Sequence, residues 1–371
     1  MVRAIGAFAF VLTILIVATA HGQVDPRNAL LEQSGWDALA AGDAAAAASA
    51  FQRALAADPQ RAELHLGAGL AAVLEKRDPD ALAAFDRALA LDPKMTMARA
   101  QLAMTKYRLH DLNGAIALLE AVVAERPGEP QWATQLARWK DERELHGRLN
   151  MALGSHFTVA FDGPAQEDVA QKVLDSLERA YWRIGTALDA LLNDPVPVVL
   201  YTNTQFRDIT RSPSWAGGLY DGTIRVPVDG LGQRDLLDRE LAALDRVLAH
   251  EFTHALTHAI GGSRVPTWLS EGLATAFEDP APDTSAAKTP RTAMALGRLT
   301  RGFATLSDSE ARSAYELSQR AARALLDSAG GAAVANLLRD LKDGAPFEAA
   351  FEHRIQRRLE DFEADLSAAV P

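Results

Sequence analysis

The chain reads as two folds in series, an α-helical solenoid followed by an α+β domain. Three features of its 371 residues predict this. Prolines recur at one fixed interval through the first third. From His156 the apolar pattern switches from helical spacing to strict alternation. Beyond Leu237 it returns to helical spacing and stays there. The length suffices for two domains, and 48% hydrophobic and 23% charged residues are ordinary for a globular chain. A net charge of -11, with no Lys/Arg-rich run, argues against nucleic acid or an anionic membrane surface as partner. Without cysteine, disulfides, thiol catalysis and Cys-based metal sites are excluded, so any metal site must be built from His, Asp and Glu.

The N-terminus is expected to direct export. Arg3 supplies a positive charge, Ala4 to Val17 is apolar except for Thr13, and Ala18-Thr19-Ala20 is a small-x-small cleavage pattern. The apolar run falls short of the ~20 residues of a membrane-spanning helix. The expectation is a signal peptide over 1–20, cleaved so that the mature protein is periplasmic or secreted and off the membrane. The alternative is an N-terminal membrane anchor.

Residues 25–147 carry the repeat. Pro59, Pro93 and Pro127 stand 34 residues apart, as do Phe51, Phe85 and Leu119. Ala47, Ala81 and Ala115 keep the interval, as do Ala54, Ala88 and Val122. So do Gly35 and Gly69, with Ala103 in the third place. Small residues let two helices cross closely, the aromatic or leucine fills the groove, and proline ends the second helix of each unit. Ala41 to Ala50 falls where the first unit needs its second helix, and alanine is the best helix former. The pattern resembles the tetratricopeptide repeat, and three units meet the minimum for a stable stack. Gln131 to His146 reads as a capping helix, with Trp132, Leu136 and Trp139 over the last repeat and Lys140 to Glu144 as a solvated face. Such a stack presents a concave surface, suited to a protein or peptide partner. The competing reading is a spacer or dimerisation element.

The second domain is expected over 155–371. Phe157, Val159 and Phe161 alternate as in a half-buried strand, Gln166 to Leu191 is helical in period, and Pro195 to Tyr201 is a short strand. Asp221-Gly222 is a hairpin signal leading into Ile224 to Val228. The chemistry lies in His250-Glu251-Phe252-Thr253-His254, within a helix expected from about Leu237 to Ile260 and closed by Gly261-Gly262. Two histidines one turn apart share a face and can reach one zinc ion, while Glu251, rotated off that face, can accept a proton from the activated water. Such a string also arises by chance in a helix with two packed histidines. The next segment changes the balance. Pro266 opens a second helix, and Glu271, 17 residues after His254, returns over the first. Three ligands plus one open position make a catalytic site rather than a structural one.

These strings resemble the gluzincin pattern, an HExxH followed by a glutamate ligand on the next helix, often within W-x-x-E-G, here Trp268 to Gly272. A metzincin would place a third histidine at position 260, which is Ile260. More narrowly, the second half is similar to bacterial peptidase-MA-like domains, with Gly218 to Pro227 and Ala314 to Ser318 as further matching strings. The resemblance implies a zincin-like fold, a Zn2+ cofactor held by His250, His254 and Glu271, peptide-bond hydrolysis with Glu251 as general base, and a peptide or protein substrate. It implies that the strand at Ile224 to Val228 edges the cleft, and that a tyrosine or histidine stabilises the oxyanion, with Tyr315 the candidate and helix packing its competing role. His258 is expected as a buried or supporting histidine rather than a ligand, Thr275 as a residue that orients a ligand, and Glu278 to Thr292 as a mobile loop. The rival function is a non-enzymatic scaffold in which the repeats bind a partner and the peptidase domain is degenerate.

Overall fold

The computed structural model describes residues 26–163, 166–212, 217–228, 238–278, 295–300, 302–303 and 306–368. The expected signal peptide lies outside the described residues, as does the Pro- and Asp-rich stretch after Glu278. No helix among the described residues is long and apolar enough to cross a membrane. The chain forms two compact units, one ending at Gly147 and one beginning at Arg148.

The first unit is helical throughout: α1 (Pro26–Ala40), α2 (Ala44–Ala57), α3 (Ala62–Leu74), α4 (Asp78–Leu91), α5 (Thr96–Arg108), α6 (Leu112–Glu125) and α7 (Pro130–His146). Each helix packs on its neighbours in sequence. The 34-residue positions form the core, and Phe51, Phe85, Leu119, Ala47, Ala81, Ala115, Ala54, Ala88 and Val122 are all 0% exposed. The glycine pattern has a steric cause. A Cβ on Gly35 would sit 2.7 Å from the Phe51 ring, and one on Gly69 would sit 2.4 Å from the Phe85 ring. Where the third repeat replaces the ring with Leu119, it replaces glycine with Ala103. The turns inside the three repeats share a left-handed residue at the same position, Gly42 (φ 73), Lys76 (φ 56) and His110 (φ 62). α2, α4 and α6 each end two residues before Pro59, Pro93 or Pro127, as their spacing predicts.

α7 caps the stack. Trp132, Leu136 and Trp139 close the last core cluster, and Tyr107 stacks on Trp139 at 4.8 Å. The expected solvated face needs one correction. Glu142 is 3% exposed and accepts a hydrogen bond from the Tyr107 hydroxyl at 2.8 Å. It lies three residues after Trp139, so helical spacing turns it inward.

The second unit opens with β1 (Asn150–Leu153) and β2 (Phe157–Phe161), then α8 (Glu167–Leu188), β3 (Val196–Tyr201), α9 (Asn203–Thr210), β4 (Leu219–Tyr220) and β5 (Ile224–Pro227). The sheet order is β1-β2-β3-β5-β4. β2, β3 and β5 run parallel, and β1 and β4 pair antiparallel at the two edges. A parallel pair needs a crossover, and α8 provides it between β2 and β3. Its Val169, Val173, Leu177, Tyr181, Ile184 and Leu188 are buried at the predicted spacing. β1 is additional to the expected strands and lies ahead of residue 155. Its outward Met151 and Leu153 are exposed, so no alternation marks it in sequence. β5 is not the edge where it pairs with β4; the edge there is Leu219–Tyr220.

Helices complete the unit: α10 (Asp238–Gly261), α11 (Thr267–Glu278), α12 (Asp308–Ala329), α13 (Gly331–Lys342), α14 (Phe347–Ile355) and α15 (Leu359–Ala368). One continuous core joins sheet and helices. α10 stops where Gly262 takes φ 66, and α11 starts from Pro266, whose carbonyl accepts from the Leu269 and Ser270 amides. α11 and α12 approach so closely that a Cβ on Gly272 would lie 2.2 Å from the Ser318 carbonyl oxygen.

Candidate metal centre

α10 places His250 and His254 one turn apart, and the turn at Gly262 brings α11 back so that Glu271 meets them. The two Nε2 atoms are 3.1 Å apart, and each lies 3.6 Å from Glu271 Oε2. Donors bound to one tetrahedral ion at ~2.0–2.1 Å stand roughly 3.3 Å from one another. The observed triangle brackets that value, so the side chains fit a single small cation without rearrangement. Among the described residues, this is the group of His, Asp and Glu that could hold one.

The electrostatics agree with a site built for positive charge. Burial would lower the His250 pKa, but the Glu271 and Glu278 carboxylates outweigh it and raise it to about 10. Burial would raise Glu271, yet His250 and His254 hold it far below the ordinary carboxylate range. Glu251 is 6% exposed, and burial raises its pKa, with His250 and His254 pulling the other way. It is wedged against the chain that leads into β4. A Cβ on Gly218 would come within 2.8 Å of Glu251 Cγ and Oε1, so glycine is what lets the two approach. Tyr315 lies on α12 with its ring edge-on to Phe303 at 5.1 Å. Burial, then the charges of Glu271, Glu251 and Glu278, push its phenol well above the ordinary value. It therefore stays protonated and belongs to the same electrostatic neighbourhood as the three carboxylates.

The structure thus brings His250, His254 and Glu271 together, with Glu251 and Tyr315 within range of the site's charges. Two further expectations are corrected. His258 is exposed rather than buried, with its ring 6.1 Å from that of Tyr220. Four residues advance a helix by slightly more than one turn, a drift of ~40°, so by the third histidine the face has rotated away from the site. Thr275 does not orient a ligand. Its Oγ1 is buried without a partner, and its carbonyl accepts from Gln319 Nε2 at 3.2 Å.

Two residues that sequence reasoning missed touch the histidines. Ser270 Oγ is 2.9 Å from His254 Nδ1. Glu278 Oε1 is 2.5 Å from His250 Nδ1, an ion-pair contact whose angle is poor for a hydrogen bond. Glu278 is the last residue of α11 rather than the first of a loop. The available signal was its place seven residues after Glu271, which puts both on one helix face.

Comparison with known proteins yields matches to each unit. Residues 178–368, more than half of the chain, match the Peptidase MA superfamily. Residues 33–96 and 72–138 match the tetratricopeptide repeat. No curated protein matches. The first TPR domain of the human RPAP3 protein is similar at 19% identity, covering 32% of this chain and 94% of that one, with a TM-score of 0.31. The second TPR domain of human RPAP3, solved in complex with an HSP70 peptide, is 26% identical, with coverages of 30% and 95% and a TM-score of 0.29.

Proposed function

Because the chain belongs to the Peptidase MA superfamily, we propose that it is a zinc metallopeptidase of the gluzincin type, with His250, His254 and Glu271 as ligands and Glu251 as general base. The observation that carries this is the triangle of 3.1, 3.6 and 3.6 Å between two imidazole nitrogens and a carboxylate oxygen. Two imidazoles, one carboxylate and no thiol suit zinc in a hydrolytic role.

When bound, zinc supplies a Lewis acid that acidifies water and polarises a carbonyl. The chain's own residues do the rest. Glu251 accepts the proton of the attacking water and passes it to the leaving amine. Burial raises its pKa above the ordinary carboxylate value, which suits a base and is hard to explain for a carboxylate with no task. The Tyr315 hydroxyl, kept protonated, donates to the developing oxyanion. The β4 edge, beside Glu251, receives an extended peptide by strand pairing. The helical repeats recruit a substrate or partner protein, and the leader at 1–20 takes the protein out of the cytoplasm.

The test uses the full chain. Metal analysis should find about one zinc per chain, and a broad peptide library should be cleaved in a chelator-sensitive, zinc-restorable manner. A chain that takes up no zinc contradicts the proposal. A zinc-loaded chain that cleaves nothing favours the non-enzymatic scaffold.

A further inference from the structure

We propose that Glu278 governs how tightly the site holds its metal, by fixing the His250 ring through Nδ1, and that Arg183 keeps Glu278 in place from outside the site. This rests on the zinc-binding reading above and extends it to residues that no ligand motif contains. Each imidazole has one nitrogen facing Glu271 and the other facing an anchor. For His254 the anchor is the Ser270 hydroxyl at 2.9 Å, and for His250 it is the Glu278 carboxylate at 2.5 Å. An anchor at Nδ1 selects the tautomer that leaves the Nε2 lone pair free for a metal, and a carboxylate anchor also makes that lone pair more basic. The two anchors are therefore unequal. A full carboxylate charge beside Nδ1 attracts the ring proton more strongly than a hydroxyl dipole does, so His250 depends on Glu278 more than His254 depends on Ser270.

The placement of Glu278 makes this dependence vulnerable. α11 carries the ligand Glu271 and both anchors, and Glu278 is its terminal residue. The last carbonyls of a helix lack intrahelical donors, and terminal turns fray. Here one of them is held. Arg183 Nη2, on α8, donates to the Phe277 carbonyl at 3.0 Å, and a cation at a helix C-terminus is also favoured by the helix dipole. Arg183 touches no ligand, so it can act on the metal only by ordering the turn that presents Glu278. Thr275, one turn after Glu271, is not the anchor, because its hydroxyl faces no ring.

Zinc dissociation constants, measured on the full chain by competition with a chromophoric chelator, test the proposal alongside the thermal melt of each metal-free protein and the visible spectrum of each cobalt-loaded one. Glu278→Ala should weaken zinc by ~10–100-fold and alter the cobalt spectrum, the usual scale for losing such a partner. Glu278→Gln should weaken it less, since an amide oxygen still faces Nδ1 although the charge is gone. Ser270→Ala should fall below Glu278→Ala in effect, Arg183→Met should weaken zinc several-fold, and Thr275→Ala should match wild type. Metal-free melting temperatures should stay close to wild type throughout. Wild-type affinity in Glu278→Ala, with zinc bound by both proteins, overturns this proposal alone. So does a loss that tracks a lowered metal-free melting temperature equally in the Ala and Gln variants, since that marks a merely structural residue. A wild-type chain that binds no zinc overturns this proposal together with the reading it rests on.

Discussion

In the repeats of the first unit the core positions recur 34 residues on; the second unit has no such interval. Phe51, Phe85 and Leu119 fill the same groove three times, each against a small residue at the same offset. Each helix packs on the next in sequence, so a change is felt by its neighbours and can be compensated by them. The second unit gathers strands and helices from 150 to 368 into one core. The polar groups of its site are singular: Glu251, buried and wedged at Gly218, and Glu271, half-buried and returned to α10 by one turn. Redundancy in one unit and singularity in the other predict different responses to mutation.

The largest contrast should come from the ligands. His250→Ala, His254→Ala or Glu271→Ala should each reduce zinc from about one per chain to a small fraction by metal analysis, and abolish hydrolysis with it. Circular dichroism should show the helical repeats intact. Next, Tyr315→Phe should retain zinc and lower kcat by ~10²-fold with little change in KM, the scale of one lost oxyanion donor. Gly272→Ala then tests singularity through packing. The added methyl meets the Ser318 backbone rather than a flexible side chain, so ~1–3 kcal/mol of stability should be lost in denaturant melts. Activity should fall with it, because α11 carries Glu271. Redundancy predicts the smallest net change. Gly69→Ala should destabilise the first unit through the Phe85 ring, and Phe85→Leu in the same chain should recover part of that loss by recreating the Ala103 and Leu119 pair. A double variant no more stable than the two losses summed would break the comparison.

This difference also explains what could be read from sequence. The repeat positions were legible because one geometry is used three times. The ligands were legible because i, i+4 spacing and a returning helix translate directly into a shared face. Glu278 was hidden by the Pro- and Asp-rich residues that follow it, which suggest that the loop begins at Glu278 itself, the last residue of the helix. Glu142 was hidden inside a charged run, although its spacing from Trp139 turns it inward. His258 misled in the opposite sense, since a face extrapolated for two turns drifts away from its site. β1 shows no alternation because its outward residues are as apolar as its inward one.

The most direct test of the central claim separates holding a metal from using it. Glu251→Gln keeps the shape of the buried side chain beside Gly218 and leaves His250, His254 and Glu271 untouched, but its amide cannot accept a proton. Zinc content and peptide hydrolysis should be measured on the same preparation. Zinc should remain at about one per chain while hydrolysis falls by ~10²-fold or more. Hydrolysis at the wild-type rate, with zinc bound, would contradict Glu251 as the general base and with it the mechanism proposed for this chain.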